Sequence, residues 1–212
     1  MAVVSARRLG LPAALAWGVF GTMAALVLRA GRAPFDDPLL LALHRHATPV
    51  LDGLAIFFTI VGNTGPMVAA GVLTTAALAR AGRRRDAWLF VAGLGGSMLL
   101  TQVIKYAVAR PRPALWASLR PEHTFSFPSG HAMDTAALAV ALFFVLPRHR
   151  RLWALAPLFA LAVGAARLYL GVHNPSDVLA GWSAAVGWVL LVQLVAGSTS
   201  RNPSGAGAEA SR

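Results

Sequence analysis

The sequence contains no cysteine. That excludes a disulfide framework and any thiolate-held metal. Charge is also scarce. Asp, Glu, Lys and Arg make up 13% of the 212 residues, where a soluble domain carries roughly 25%. The scarcity is one-sided: 8 acidic residues stand against 19 basic ones, and Lys105 is the only lysine. The chain is instead rich in apolar residues, at 57%. This balance excludes an ordinary soluble domain and points to an integral membrane protein. The net charge of +11 does not signal a nucleic-acid partner, because a basic nucleic-acid binder does not also carry several long apolar stretches. The surplus arginines are assigned to loops at the membrane surface.

A spanning helix needs about 20 predominantly apolar residues. Such stretches fall at 11–28, 51–78, 87–108, 133–146 (entered from about Ser129), 152–170 and 178–195. The first follows Arg7 and Arg8. It is longer than the roughly 7–15 residues of a signal-peptide core, so it reads as a retained anchor. The second exceeds one span and is interrupted by Gly62, Gly65 and Pro66, which predicts a kink with the first part projecting from the bilayer. Before it, Pro34, Asp36, Asp37 and Pro38 mark a turn. Leu39, Leu40, Leu41 and Leu43 then form a short interfacial helix, with His44, Arg45 and His46 at headgroup level. The expected fold is all-α, an integral membrane bundle of six transmembrane helices over residues 1–196. Residues 197–212, rich in Ser, Gly and Ala, read as a disordered cytoplasmic tail.

Six spans place both termini on one side. Eleven basic residues fall on that side, among them Arg80, Arg83, Arg84, Arg85, Arg148, Arg150 and Arg151, against eight on the other. The bias makes the termini cytoplasmic in a multi-pass cell-membrane protein. The same counting sends three polar segments to the outer face. They are Lys105 to Pro113 after the third span, Phe127 to His131 before the fourth, and Arg167 to Asp177 between the fifth and sixth.

The chemistry of these segments is that of phosphoryl transfer. Lys105, Arg112 and Arg167 supply three cations for one phosphoryl group. Arginine matches phosphate oxygens with a planar fork, and lysine acts as a point charge. Ser129 stands at a helix N-cap, and Gly130 allows backbone to approach a ligand. The free N–H groups of such a start attract an anion. His131 follows and can protonate a leaving oxygen. His173 precedes the last helix, in which Asn174, Pro175 and Asp177 read as cap, first turn and acidic third position. Asp177, four residues after His173, can hold one ring nitrogen and leave the other as nucleophile. The reaction expected is attack by His173, protonation of the leaving group by His131, and hydrolysis of a phosphohistidine by water that His131 deprotonates.

These segments resemble the signature of the type 2 phosphatidic acid phosphatase family, which shares its site with the vanadium haloperoxidases. Lys105, Arg112 and Pro113 match Lys-x6-Arg-Pro. Pro128, Ser129, Gly130 and His131 match Pro-Ser-Gly-His. Arg167, His173 and Asp177 match Ser-Arg-x5-His-x3-Asp, with Ala166 where the pattern has Ser. The motifs cover residues 105–182. The resemblance implies a reaction without metal or other cofactor, with a lipid phosphate as substrate. Undecaprenyl pyrophosphate, phosphatidic acid, phosphatidylglycerol phosphate and diacylglycerol pyrophosphate are its candidates. Membrane lipids are the expected surroundings, and the oligomeric state stays open.

The remaining polar residues receive quieter roles. Arg110 and Arg120 are assigned to headgroup contact, and His44, His46 and His123 to the surface or loops. Asp134 lies one helical turn below His131, where a carboxylate needs a partner. Ser97, Thr101 or Gln102 would serve, or Asp134 supports the site by orienting a cation or His131. The small-residue patches at Gly93, Gly95, Gly96 and Ser97, and at Gly164, Ala165 and Ala166, are expected to permit close helix packing. Competing functions are a lipid phosphotransferase using the same residues, a vanadate-dependent haloperoxidase, which the membrane composition disfavours, and a transporter. The transporter is disfavoured because the polar residues gather at one face instead of the midplane.

Overall fold

The computed structural model describes residues 6–146 and 155–199. Among the described residues the chain forms eight helices and no strand. They are α1 (Ala6–Ala30), α2 (Asp36–His44), α3 (Pro49–Val61), α4 (Thr64–Arg80), α5 (Arg84–Val108), α6 (Gly130–Val145), α7 (Leu155–Tyr169) and α8 (Pro175–Thr199). Residues 197–199 of the expected disordered tail form the end of α8 instead, and residues 200–212 lie outside the described residues, as do Arg148, Arg150 and Arg151 of the charge count.

By length and composition α1, α5 and α8 can each cross a membrane. The apolar stretch at 51–78 is two helices, α3 and α4, bent by 47°. The break has a packing cause. At Gly62 a Cβ would lie 2.7 Å from Val163 of α7, so only glycine lets the chain pass there. Asn63 then caps α4, its side chain accepting from Thr64 N at 2.7 Å. Counting the bent pair as one gives four candidate spans. α6 and α7 are shorter, at 16 and 15 residues, or about 24 Å of helix against a hydrocarbon core of about 30 Å. Both adjoin the undescribed segment 147–154.

α6 is the central element, packed by α4, α5, α7 and α8, while α1 lies along α8. Its Ala132, Ala136, Ala137, Ala139 and Ala141 are buried, and such small side chains let neighbouring backbones approach. Within helices, glycine meets tryptophan three times among the described residues. A Cβ at Gly96 would lie 2.6 Å from Trp188, one at Gly164 2.2 Å from Trp182, and one at Gly187 2.8 Å from Trp17. Both small-residue patches therefore serve packing through Gly96 and Gly164, whereas Gly95 has nothing nearer than 4.0 Å. Outward-facing Leu15, Val72, Leu73, Trp88, Leu99 and Leu158 are exposed. An apolar exterior around helices that satisfy their own backbone suits lipid.

Candidate active site

Three chain reversals at one end of the bundle build the site. α5 stops at Ala109, which takes a left-handed backbone (φ 48°) while its N–H bonds Lys105 O at 2.9 Å. Pro111 and Pro113 follow and cannot resume a helix. α7 stops in a Schellman turn around Gly171 (φ 66°), with Gly171 N to Leu168 O at 2.9 Å and Val172 N to Arg167 O at 3.3 Å. Glycine suits this left-handed position, where other residues are strained. Space demands it as well, because a Cβ there would lie 2.6 Å from Trp116. The turn delivers His173 directly after the helix that carries Arg167. α6 begins after the cis Phe127–Pro128 bond. Its N-cap Ser129 is anchored by its N–H to Asp177 O at 3.0 Å, so the starts of α6 and α8 are tied together.

The structure brings the three predicted segments into one cluster. Arg112 reaches His173 on one side and, at 4.0 Å, the Glu122 carboxylate that Arg167 also pairs with. Its guanidinium bonds Thr124 O at 2.7 Å, Val172 O at 2.7 Å and Thr124 Oγ1 at 2.9 Å, and lies 3.2 Å from His173 Nε2. Arg167 is wholly buried; it donates to Glu122 Oε1 at 2.6 Å and reaches Thr59 Oγ1 at 3.5 Å. Lys105 Nζ donates to Phe125 O, and a Cβ on Gly130 would come 3.8 Å from Lys105 Cε. His131 lies within electrostatic reach of Arg167, Glu122, Arg112 and Lys105. Ser129 Oγ, His131 Nε2 and Arg167 Nε are buried and make no hydrogen bond. Ser129 thus occupies the cap position without its hydroxyl capping the helix. Unpaired buried polar groups are costly, and an anion among them would satisfy all three kinds.

His173 is 1% exposed. Burial holds its imidazole well below the ordinary histidine range; Asp177 pulls it upward, and Arg167 and Arg112 push it down. It is therefore neutral at neutral pH. Its Nδ1 stands 3.6 Å from Asp177 Oδ2, longer than a hydrogen bond. That oxygen is already engaged by Ser126 Oγ at 2.5 Å and Asn174 N at 2.7 Å. Burial alone would raise the Glu122 carboxyl. The charge and hydrogen bond of Arg167, and the charge of Arg112, outweigh it and hold the group below the usual range.

Several sequence-based assignments change. Arg110 does not face headgroups: it is 5% exposed and bridges Asp36 and Asp177. Spacing had singled out only Arg112, and Asp36 comes from a distant segment. Asp134 takes its partner from α4, accepting from Thr64 Oγ1 at 3.0 Å. Ser97 Oγ is unpaired and Thr101 Oγ1 is spent on Ser97 O. The helix break that restarts the chain at Thr64 creates this contact. Ala166, where the motif has Ser, packs in an apolar cluster with Ala55, Leu170 and Val172. His44 is exposed and stacks on Trp116 at 4.2 Å between centroids, and His123 and Arg120 are exposed. Glu122 escaped the sequence reading. Its signal was rarity, as one of 8 acids in the chain, sitting in a loop among cations.

Among the described residues, fold and site together define an all-helical membrane protein with a cluster of two histidines, one lysine and two arginines at one end of its bundle. Residues 86–199 match the PAP2 superfamily, and the chain belongs to that family. Phosphatidylglycerophosphatase B of Bacillus subtilis (strain 168) is 38% identical over 116 residues, 51% of this chain and 57% of that protein. An undecaprenyl-diphosphatase of Sulfolobus acidocaldarius is 30% identical over 153 residues, 70% of this chain and 72% of that one. Among solved structures, the transmembrane PAP2-type phosphatidylglycerolphosphate phosphatase from Bacillus subtilis superposes with a TM-score of 0.78 at 28% identity, covering 90% of this chain and 98% of its own.

Proposed function

We propose that the protein is a membrane lipid phosphatase that hydrolyses a phosphomonoester or pyrophosphate lipid through a phosphohistidine. The observation that carries this reading is the convergence of His173, His131 and three cations around buried polar groups that the fold leaves unpaired. His173 Nε2 attacks phosphorus, and the bond from phosphorus to the leaving oxygen breaks as His131 supplies that oxygen's proton. Lys105, Arg112 and Arg167, with the N–H groups of Gly130 and the first turn of α6, hold the three equatorial oxygens. Water then attacks the phosphohistidine, His131 takes its proton, and orthophosphate leaves. His173 buried as the neutral imidazole suits attack without prior deprotonation. Asp177 holds the ring through Nδ1 once the 3.6 Å gap closes, since catalytic hydrogen bonds often tighten only with substrate bound.

Six spans form the membrane domain: α1, the α3–α4 pair, α5, α6, α7 and α8. The domain ends with α8 at Thr199, and the tail follows. The termini face the cytoplasm and the site opens at the outer face, a reading that the arginine bias supports. The names of the relatives make phosphatidylglycerol phosphate and undecaprenyl diphosphate the first substrates to test. The measurement is phosphate release from a panel of polyprenyl and glycerolipid phosphates by detergent-solubilised protein. His173→Ala and His131→Ala each abolish it, and EDTA leaves it unchanged. Full activity in His173→Ala, or loss in EDTA restored by a divalent metal, refutes the mechanism.

A further inference from the structure

Arg110 fills an unspecified position of Lys-x6-Arg-Pro and Asp36 lies outside every motif noted above, yet both are buried beside Asp177 and Ser176. A buried guanidinium needs partners for its fixed fork of donors, and Arg110 has them on all three nitrogens. Nε donates to Gly31 O at 3.0 Å, NH1 to Ser176 Oγ at 2.8 Å and Asp177 Oδ1 at 2.5 Å, and NH2 to Asp36 Oδ2 at 2.9 Å. With its amide oxygen turned toward Arg110, Asn174 accepts from both terminal nitrogens at 3.3 and 3.2 Å. No donor of Arg110 is left for a phosphate, in contrast to Arg167. Asp36 in turn stitches α2 to α8. Its Oδ1 accepts from Ser176 N at 2.9 Å, and its Oδ2 from Ser176 Oγ and Ala33 N, each at 2.8 Å.

We infer that Arg110 and Asp36 are a positioning pair: Asp36 fixes the Arg110 fork, the fork fixes the Asp177 carboxylate, and Asp177 aims His173. The inference rests on the roles proposed above for His173 and Asp177. Asp177 lies four residues after His173, and its Oδ2 is the atom nearest the ring. Arg110 grips the other oxygen, Oδ1, so the carboxylate cannot rotate away from His173 without breaking that bond. The rigid planar fork is what lets one cation hold two carboxylates from different helices; a lysine point charge cannot reproduce it.

The test is steady-state kinetics on the purified full chain with a phosphate-release readout, judged beside size-exclusion elution and thermal unfolding. Arg110→Gln lowers kcat about 10–100-fold with KM within about threefold, the loss seen when a partner that orients a reactive group is removed. Arg110→Lys recovers part of that loss. Asp36→Asn keeps the shape and one acceptor oxygen, but it removes the charge and turns the other acceptor into an amide donor, and it lowers kcat about 3–10-fold. In an Asp177→Asn background, Arg110→Gln costs less than about twofold more, because residues acting through one another are not additive. A merely structural Arg110 gives losses that multiply with Asp177→Asn, and that result overturns the inference. So does more than half of wild-type kcat in both Arg110→Gln and Asp36→Asn. If Arg110→Gln does not fold, Arg110→Lys and Asp36→Asn decide by the same criteria. Activity surviving in His173→Ala refutes the phosphatase mechanism itself. Loss there with Arg110→Gln and Asp36→Asn unaffected removes only the positioning pair.

Discussion

Glu122 pairs with two of the cations proposed to hold the substrate phosphate, so on that proposal its charge should weaken phosphate binding. Its carboxylate lies 2.6 Å from Arg167 and 4.0 Å from Arg112, with its side chain 29% exposed. Because the two arginines hold it below the usual carboxylate range, it is ionised at neutral pH and competes with any incoming anion. A unit charge 4 Å away interacts by about 4 kcal/mol at the effective dielectric of a protein surface. Partial exposure and the movement of Glu122 away from an entering phosphate remove more than half of that. Glu122→Gln keeps an acceptor for Arg167 but deletes the charge, so orthophosphate binding should strengthen by about 1–2 kcal/mol, or about 5–30-fold. The assay is the competitive inhibition constant of orthophosphate at fixed pH and ionic strength. An unchanged or weakened constant would show that Glu122 serves to hold Arg167 in place and that its charge does not oppose the ligand.

The depressed proton affinity of His173 has a signed consequence: the nucleophile stays neutral until the pH falls well below the ordinary histidine value of 6.5. The acid limb of kcat/KM assigned to His173 therefore lies below 6.5. Since the unfolded chain binds that proton first, the histidine's share of stability is complete above 6.5 and declines as the pH drops beneath it; a histidine limb at or above neutrality contradicts the burial argument. Gly164→Ala puts a Cβ 2.2 Å from Trp182 and should cost about 1–3 kcal/mol as overpacking, read as a lowered Tm in detergent. Gly95→Ala, with nothing nearer than 4.0 Å, is its control and should leave Tm unchanged or raised. Thr64→Val deprives Asp134 of its hydrogen bond. Stability should fall by about 1–3 kcal/mol, the cost of an orphaned buried polar group, with turnover unchanged. A fall in kcat at constant Tm would instead assign Asp134 to the reaction.

Much of this protein is legible in its sequence because membranes impose a one-dimensional rule. Apolar stretches announce helices, and α1, α5 and α8 lie where the stretches predict them. Gly62 and Pro66 flagged the α3–α4 break, although only the contact with Val163 explains why the chain bends there. That Lys105, Arg112, Ser129, Gly130, Arg167, His173 and Asp177 lie near one another was legible because each sits beside a helix end in a short local motif. Local spacing fixes which residues can share a turn. It does not fix which distant side chain fills the remaining valences of a buried charge. Arg110 and Arg112 are two residues apart and look alike in the sequence. The turn through Ala109 and Pro111 directs Arg112 toward His173 and Arg110 toward Asp36 and Asp177. Glu122 and Thr64 acquired their partners the same way, across separations that no periodicity records. The sequence by itself determined a helical membrane protein and the polar residue types gathered at its helix ends. Tertiary structure alone decided which arginine lies beside His173 and which is neutralised by buried carboxylates, because a buried charge is governed by the groups packed around it.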